Sequence, residues 1–294
     1  MAHKGFWCRG RRPETTARWR ELGSELRTIR QGRESSGHEM ARRTGWPVSN
    51  VSRWETGLRP MSAVEAAIYL ATCGVTGEER ERLLELTRPG PEMYWVRPYF
   101  DKLVDPLKSL IIQENLAEAI VSFEPMLIPG LRQIEPYTRA LIESNPRHTA
   151  ERADVLVGAR MNRQNPLDRR NPPSCTFFIH ERALRSVVGD PSVMHEQVLR
   201  LQLAHGMPRC SIRVVPEAVS FFRTFVEPFK IMAFADHPAV AHTGTFAASL
   251  FMDARAAVEG YYRLVAQLEH DALSEGQSHQ WLARSAGEYE RMKE

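Results

Sequence analysis

The chain has 294 residues, a length that predicts about two domains. Apolar residues make up 43% and charged residues 26%, which fits a globular protein and excludes a disordered or fibrous one. The net charge of +3 is uneven: residues 1–60 hold 13 Lys/Arg against 6 Asp/Glu, and the remainder holds 26 against 30. A basic tail over residues 1–18 leads into a run of short helices over 19–87. Three boxes of the form S/T-x-x-E mark helix starts: Ser36 with Glu39, Ser62 with Glu65, and Thr76 with Glu79. Gly32, Gly45, Gly57 and Gly74 follow at helix stops. The predicted helices are 19–31, 37–44, 47–56, 63–73 and 77–87.

Arg88-Pro89-Gly90-Pro91 cannot continue a helix, so 88–104 reads as a linker. Residues 105–290 read as an α+β domain. Helix is expected from about Leu103 to Ile120, extended chain over 123–129, and helices over 136–144 and 148–164. Turns are expected over 165–174, a strand over 175–180 and a helix over 191–206. Strands are expected over 211–215, 229–235 and 239–243, with one more over 245–251. Helix 254–273 and a helical tail close the chain. The expected class is multi-domain: an all-α five-helix helix-turn-helix domain followed by an α+β effector domain.

Function concentrates in Ser36–Gly57. Two short helices flank a tight turn at Gly45, with Met40 and the small Ala41 facing inward. Val48, Val51 and Trp54 form an apolar stripe on the second helix, with Val48 at its margin. Ser49, Asn50 and Arg53 fall together on the other face. Asn pairs bidentately with adenine, Arg with guanine, and Ser with either. A helix-turn-helix presents this part of its second helix to base edges, and helix N-termini favour phosphate. Arg42, Arg43 and Arg59 flank the unit as candidate phosphate contacts, which fix register without reading sequence. The candidate DNA-binding set is Gly37, His38, Arg43, Val48, Ser49, Asn50, Ser52, Arg53 and Arg59. The competing reading is a small helical bundle with a polar surface.

The run Glu39–Gly57 resembles the lambda-repressor/Cro-type helix-turn-helix, the XRE family, through Ala41, Gly45, Ser52, Arg53, Glu55 and Gly57. It departs from that family at Trp54, where Ile or Leu is commoner, and at Pro47-Val48, which replace a polar helix start. Residues 123–141 (FEPMLIPGLRQIEPYTRAL) and the later run Glu181-Arg-Ala-Leu-Arg, Val-Gly-Asp-Pro and Met-His-Glu-Gln are similar to the effector domain of actinobacterial WhiJ-like regulators. That resemblance implies a regulator of development or specialised metabolism in a filamentous actinomycete. It also implies an antitoxin-like arrangement with a small acidic partner protein. The expected partners are thus double-stranded DNA, a second copy of the chain, and either that protein or a small-molecule effector.

No catalytic constellation emerges. There is no H-E-x-x-H, G-x-S-x-G, Walker A or G-x-G-x-x-G, so no enzyme, cofactor or metal is expected. His237 and His242, five apart, are a metal pair only on paper, and His180-Glu181 and His195-Glu196 read as ordinary surface or core groups. Cys8, Cys73, Cys175 and Cys210 are scattered without a C-x-x-C pair and read as buried or incidental thiols. Phe222, Phe225 and Phe229 are candidates for a partner or ligand pocket, with core packing as the alternative. No apolar run approaches the ~18 residues of a membrane helix. The basic N-terminus lacks the apolar core of a secretory signal, so a cytoplasmic, nucleoid-associated protein is expected.

Overall fold

The computed structural model describes residues 15–88, 95–98, 104–145, 149–218, 227–245 and 248–293. The fold is an all-α region of five helices followed by a mixed α and β region. The five helices are α1 (Ala17–Gly32), α2 (Gly37–Thr44), α3 (Val48–Glu55), α4 (Ala63–Thr72) and α5 (Gly77–Glu85). Next come β1 (Trp95–Pro98), α6 (Val104–Leu116), β2 (Ala119–Glu124), α7 (Glu135–Glu143) and α8 (Ala150–Asn162). They are followed by β3 (Ser174–His180), α9 (Glu181–Arg185), α10 (Pro191–Leu203) and β4 (Cys210–Val215). The chain ends with β5 (Phe229–Ala233), β6 (Val240–Gly244), β7 (Ala248–Met252), α11 (Arg255–Asp271) and α12 (Glu275–Arg291).

Local capping chemistry explains several helix starts. Thr16 caps α1 by accepting from Trp19 N at 3.3 Å, so the helix opens two residues before the predicted start. Ser36 caps α2 by accepting from Glu39 N at 3.1 Å. The Glu39 carboxylate does not return the bond as expected, because Arg42 takes both of its oxygens at 2.9 and 2.7 Å. The Thr76 side chain makes no capping bond at all, so that predicted box does not form. Ser62 and Glu65 do close a full box, with Ser62 N donating to Glu65 Oε2 at 2.8 Å. A box the expectations omitted, Ser274 with Gln277, opens α12.

The chain divides into two compact units. Unit 1 comprises residues 1–117 and 232–258. Its helical core gathers Leu22 and Leu26 of α1, Met40 and Ala41 of α2, Val51 and Trp54 of α3, Ala66, Tyr69 and Leu70 of α4, and Leu83 of α5. Unit 1 also pairs β1 with β7 and β6 with β7, all antiparallel, so that Trp95 lies opposite Phe251. Arg20 of α1 is fully buried here. Its Nε donates to Gln113 Oε1 of α6 at 2.9 Å, and Nη2 meets Asp253 Oδ1 at 3.3 Å. Its guanidinium also lies 4.5 Å from the centroid of the Phe234 ring. Burial lowers the Arg20 pKa to about 10 against the pull of Asp253, and burial likewise raises Asp253.

Unit 2 comprises residues 118–231 and 259–294. Here β2, β3 and β4 are parallel neighbours in that order, with Ile120 beside Cys175 and Cys175 beside Cys210. β2 and β3 are almost continuously buried, as parallel strands covered on both faces are. α10 packs on α12, and Tyr289 of α12 donates to Leu184 O at 2.8 Å.

Several predicted boundaries move. Helix was expected as far as Ile120, but α6 stops at Leu116 and Ile120 lies inside β2. The β-branched pair Ile120-Val121 gains its pairing with Cys175-Thr176, a non-local contact that outweighs local helical spacing. β1 and α9 were not predicted.

Candidate nucleic-acid interface

The turn between α2 and α3 follows from two residues. Gly45 ends α2 in the left-handed conformation, φ 75°, where a β-carbon is disfavoured. Pro47 then sets the start of α3 with φ −59° and offers no side-chain cap. The leading N–H groups of α3 therefore receive no side-chain acceptor from the cap residue.

α3 divides into two faces. Val51, Trp54 and Glu55 are buried, while Ser49, Ser52 and Arg53 are exposed and Asn50 is half-buried. Val48 is 39% exposed, on the margin of the apolar stripe. His38 and Arg43 are exposed, and Gly37 is half-exposed at the start of α2. Arg59 is also exposed, yet its Nη1 donates to Asn50 Oδ1 at 2.8 Å and its guanidinium sits 5.8 Å from the Trp54 ring centroid. The structure thus joins Arg59 to the exposed face of α3 by a direct contact with Asn50, which the spacing did not indicate. Arg42 is held by Glu39, and this pairing keeps the Glu39 carboxyl below its usual range.

The scaffold behind this face is polar at its centre. Arg30 of α1 donates to both Glu55 oxygens, from Nε at 2.7 Å and from Nη2 at 2.6 Å. Tyr69 of α4 donates to Glu55 Oε1 at 2.6 Å. The Glu55 bond holds Arg30 in its charged form, and burial pushes the Tyr69 hydroxyl well up. One carboxylate therefore ties α1, α3 and α4 together. Trp54, the departure from the XRE pattern, packs edge-on against Trp46 with centroids 4.9 Å apart and donates from Nε1 to Pro60 O at 3.2 Å.

The remaining candidates lie elsewhere. Phe222 and Phe225 fall outside the described residues. Phe229 is a buried strand residue against Phe123 at 6.0 Å and Tyr261 at 5.0 Å, as ring centroids. His237 bonds Thr15 Oγ1 at 3.0 Å, and His242 bonds Ser249 Oγ at 3.2 Å. His195 bridges Ala286 O at 2.9 Å and Glu290 Oε2 at 3.1 Å. His180 caps α9 by accepting from Arg182 N at 3.1 Å. Among the described residues no group of three or more His, Cys, Asp or Glu could hold a metal ion, and no helix is long and apolar enough to cross a membrane.

Comparison with known proteins agrees with this geometry. Residues 21–83 match a helix-turn-helix domain model. No curated protein matches the chain. Residues 107–284, more than half of the chain, match the model of a domain of unknown function, DUF5753. With a helix-turn-helix DNA-binding head in front of that domain, the chain belongs to the DUF5753 family.

Proposed function

We propose that this chain is a sequence-specific transcriptional regulator that works as a dimer and is controlled through its C-terminal domain. The observation that carries the reading is the exposed face of α3. Ser49, Asn50, Ser52 and Arg53 face away from the buried Val51 and Trp54, where a helix-turn-helix meets base edges in the major groove. Gly37, His38, Arg43 and the α3 N-terminus take the phosphate backbone in this reading. Two copies on paired half-sites supply the affinity one short helix lacks. The α+β domain receives the signal and performs no catalysis. The protein acts in the cytoplasm on the nucleoid. The WhiJ-like, antitoxin-like form of this control, with a small acidic protein as the signal, rests on the sequence resemblance.

The test uses the full chain. Duplexes enriched from a random pool supply the site, and gel shifts then compare Arg53→Ala and Asn50→Ala with the parent protein. Loss of one bidentate base contact weakens specific binding by about 1–3 kcal/mol and leaves non-specific binding nearly unchanged. Unchanged specific affinity in both variants would refute the assignment of α3.

A further inference from the structure

Two cysteines that look unrelated in the sequence lie side by side in unit 2. The parallel register of β3 and β4 places Cys175 directly beside Cys210. Register partners of a parallel pair share one face, and neighbouring strands lie about 4.8 Å apart. That spacing falls inside the ~4.4–6.8 Å Cα range that a disulfide spans. Neither cysteine is in a disulfide; Cys210 is half-buried and Cys175 buried.

Arg132 marks the shared face. Its Nη2 donates to Cys210 Sγ at 2.8 Å, and its guanidinium lies 5.7 Å from the centroid of the Phe177 ring. Phe177 follows Cys175 by two residues on β3, so all three side chains occupy one side of the strands. Arg132 is 3% exposed, and its Nε finds no hydrogen-bond partner among the described residues. A buried guanidinium with one N–H on a thiol sulfur and another unanswered leaves a donor for an oxygen attached to that sulfur.

We propose that Cys210 is an oxidation site for hydroperoxides and that Cys175 is its resolving thiol. The Cys210 sulfur attacks the terminal oxygen of a hydroperoxide, ROOH. The O–O bond breaks, the sulfur becomes a sulfenic acid, and the alcohol ROH leaves with the thiol proton. The Cys175 sulfur then displaces the hydroxyl, the S–S bond forms, and water leaves with the second thiol proton. The two sulfurs lose two electrons and the peroxide bond gains them. A dithiol reductant reverses the change. Arg132 is a positioning residue that holds the Cys210 sulfur and then the sulfenic oxygen. Transient bonds of this kind are the ones found in reducing compartments. Cys73 is the internal comparison: it is buried among the apolar side chains of the helical core, in no register pair with another cysteine among the described residues.

The test is direct. Full-length protein is exposed to hydrogen peroxide, remaining thiols are blocked with maleimide, and peptides are mapped by mass. The expected result is loss of two of the four thiols, a linked peptide pair containing Cys175 and Cys210, and full recovery with dithiothreitol. Cys175→Ser should stop the reaction at a Cys210 sulfenic acid that dimedone traps. In that background Arg132→Lys should slow trapping, while an unchanged rate would remove Arg132 from the mechanism. The proposal is overturned if Cys175 and Cys210 both stay maleimide-reactive, or if the oxidant goes to Cys8 or Cys73 in chains that keep their native circular dichroism.

Discussion

Arg30 and Glu55 form a two-pronged ion pair inside the helical head, with N···O distances of 2.7 and 2.6 Å and both side chains almost wholly withdrawn from water. The pair binds α1 to the C-terminal end of α3. A buried pair of this sort adds little beyond what apolar packing would supply, but removing one partner strands the other in a low-dielectric interior. Glu55→Ala should therefore destabilise the head by about 3–5 kcal/mol. Tyr69→Phe removes the bond to the same carboxylate together with a longer one to Leu26 O at 3.4 Å, and should cost about 1.5–3 kcal/mol. Urea titration followed by tryptophan fluorescence reads both, since Trp46 and Trp54 lie in this core. Equal midpoints for Glu55→Ala and the parent protein would contradict the assigned role.

Gly57 and Gly45 share a left-handed backbone, φ 70° and 75°, but not an environment. A β-carbon at Gly57 would fall 2.8 Å from Arg20 Cα, whereas one at Gly45 would meet nothing within 4 Å. Gly45→Ala should cost only the conformational ~1–2 kcal/mol. Gly57→Ala adds a backbone overlap that α1 and α3 relieve only by separating, so its denaturation midpoint should fall well below that of Gly45→Ala. Matching midpoints would show that α1 yields at no cost.

This contrast also marks what the sequence discloses. The turn at Gly45, the Ser36 and Ser62 caps and the outward set Ser49, Asn50 and Arg53 depend on residues within a few positions of each other. Helical geometry and capping chemistry therefore suffice to read them. The contact of Gly57 with Arg20, the Arg30–Glu55 pair and the Arg59–Asn50 bond depend on how helices cross, which no local pattern encodes. The same limit applies to β2, β3 and β4. β3 and β4 were legible as strands and β2 was not, but the parallel order of all three, and so the meeting of Cys175 with Cys210, arises from pairing across more than thirty residues of chain. Ile120 shows the conflict most directly, with helical spacing on one side and strand pairing winning on the other.

His180 links stability to pH in unit 2. Its Nδ1 accepts from Arg182 N at 3.1 Å, which requires an unprotonated Nδ1. Burial lowers its pKa below the ordinary 6.5, although Glu217 at 3.7 Å pulls the other way. The unfolded chain therefore binds this proton more readily than the folded one. The contribution is full above about pH 6.5 and is lost as pH falls through the folded value. The urea midpoint should drop between about pH 7 and pH 5 by more in the parent protein than in His180→Asn, which keeps a capping acceptor without titrating. Parallel profiles for the two proteins would assign the slope to other groups.

Asn50 and Arg59 should act on DNA as one unit. Because Arg59 Nη1 donates to Asn50, the amide oxygen must face Arg59, which turns the NH2 group toward whatever lies beyond the helix. Arg59 then serves chiefly to orient a base-reading side chain, and its role as a phosphate anchor is secondary. Two measurements separate these roles. In a double-mutant cycle on the selected duplex, Asn50→Ala and Arg59→Ala should be non-additive by about 0.5–3 kcal/mol, with the double variant binding no more weakly than Asn50→Ala alone. The salt dependence of binding should stay nearly unchanged in Arg59→Ala, whereas loss of a phosphate contact lowers the slope by about 1. Additive losses together with a reduced slope would return Arg59 to the phosphate backbone and leave Asn50 to read its base unaided.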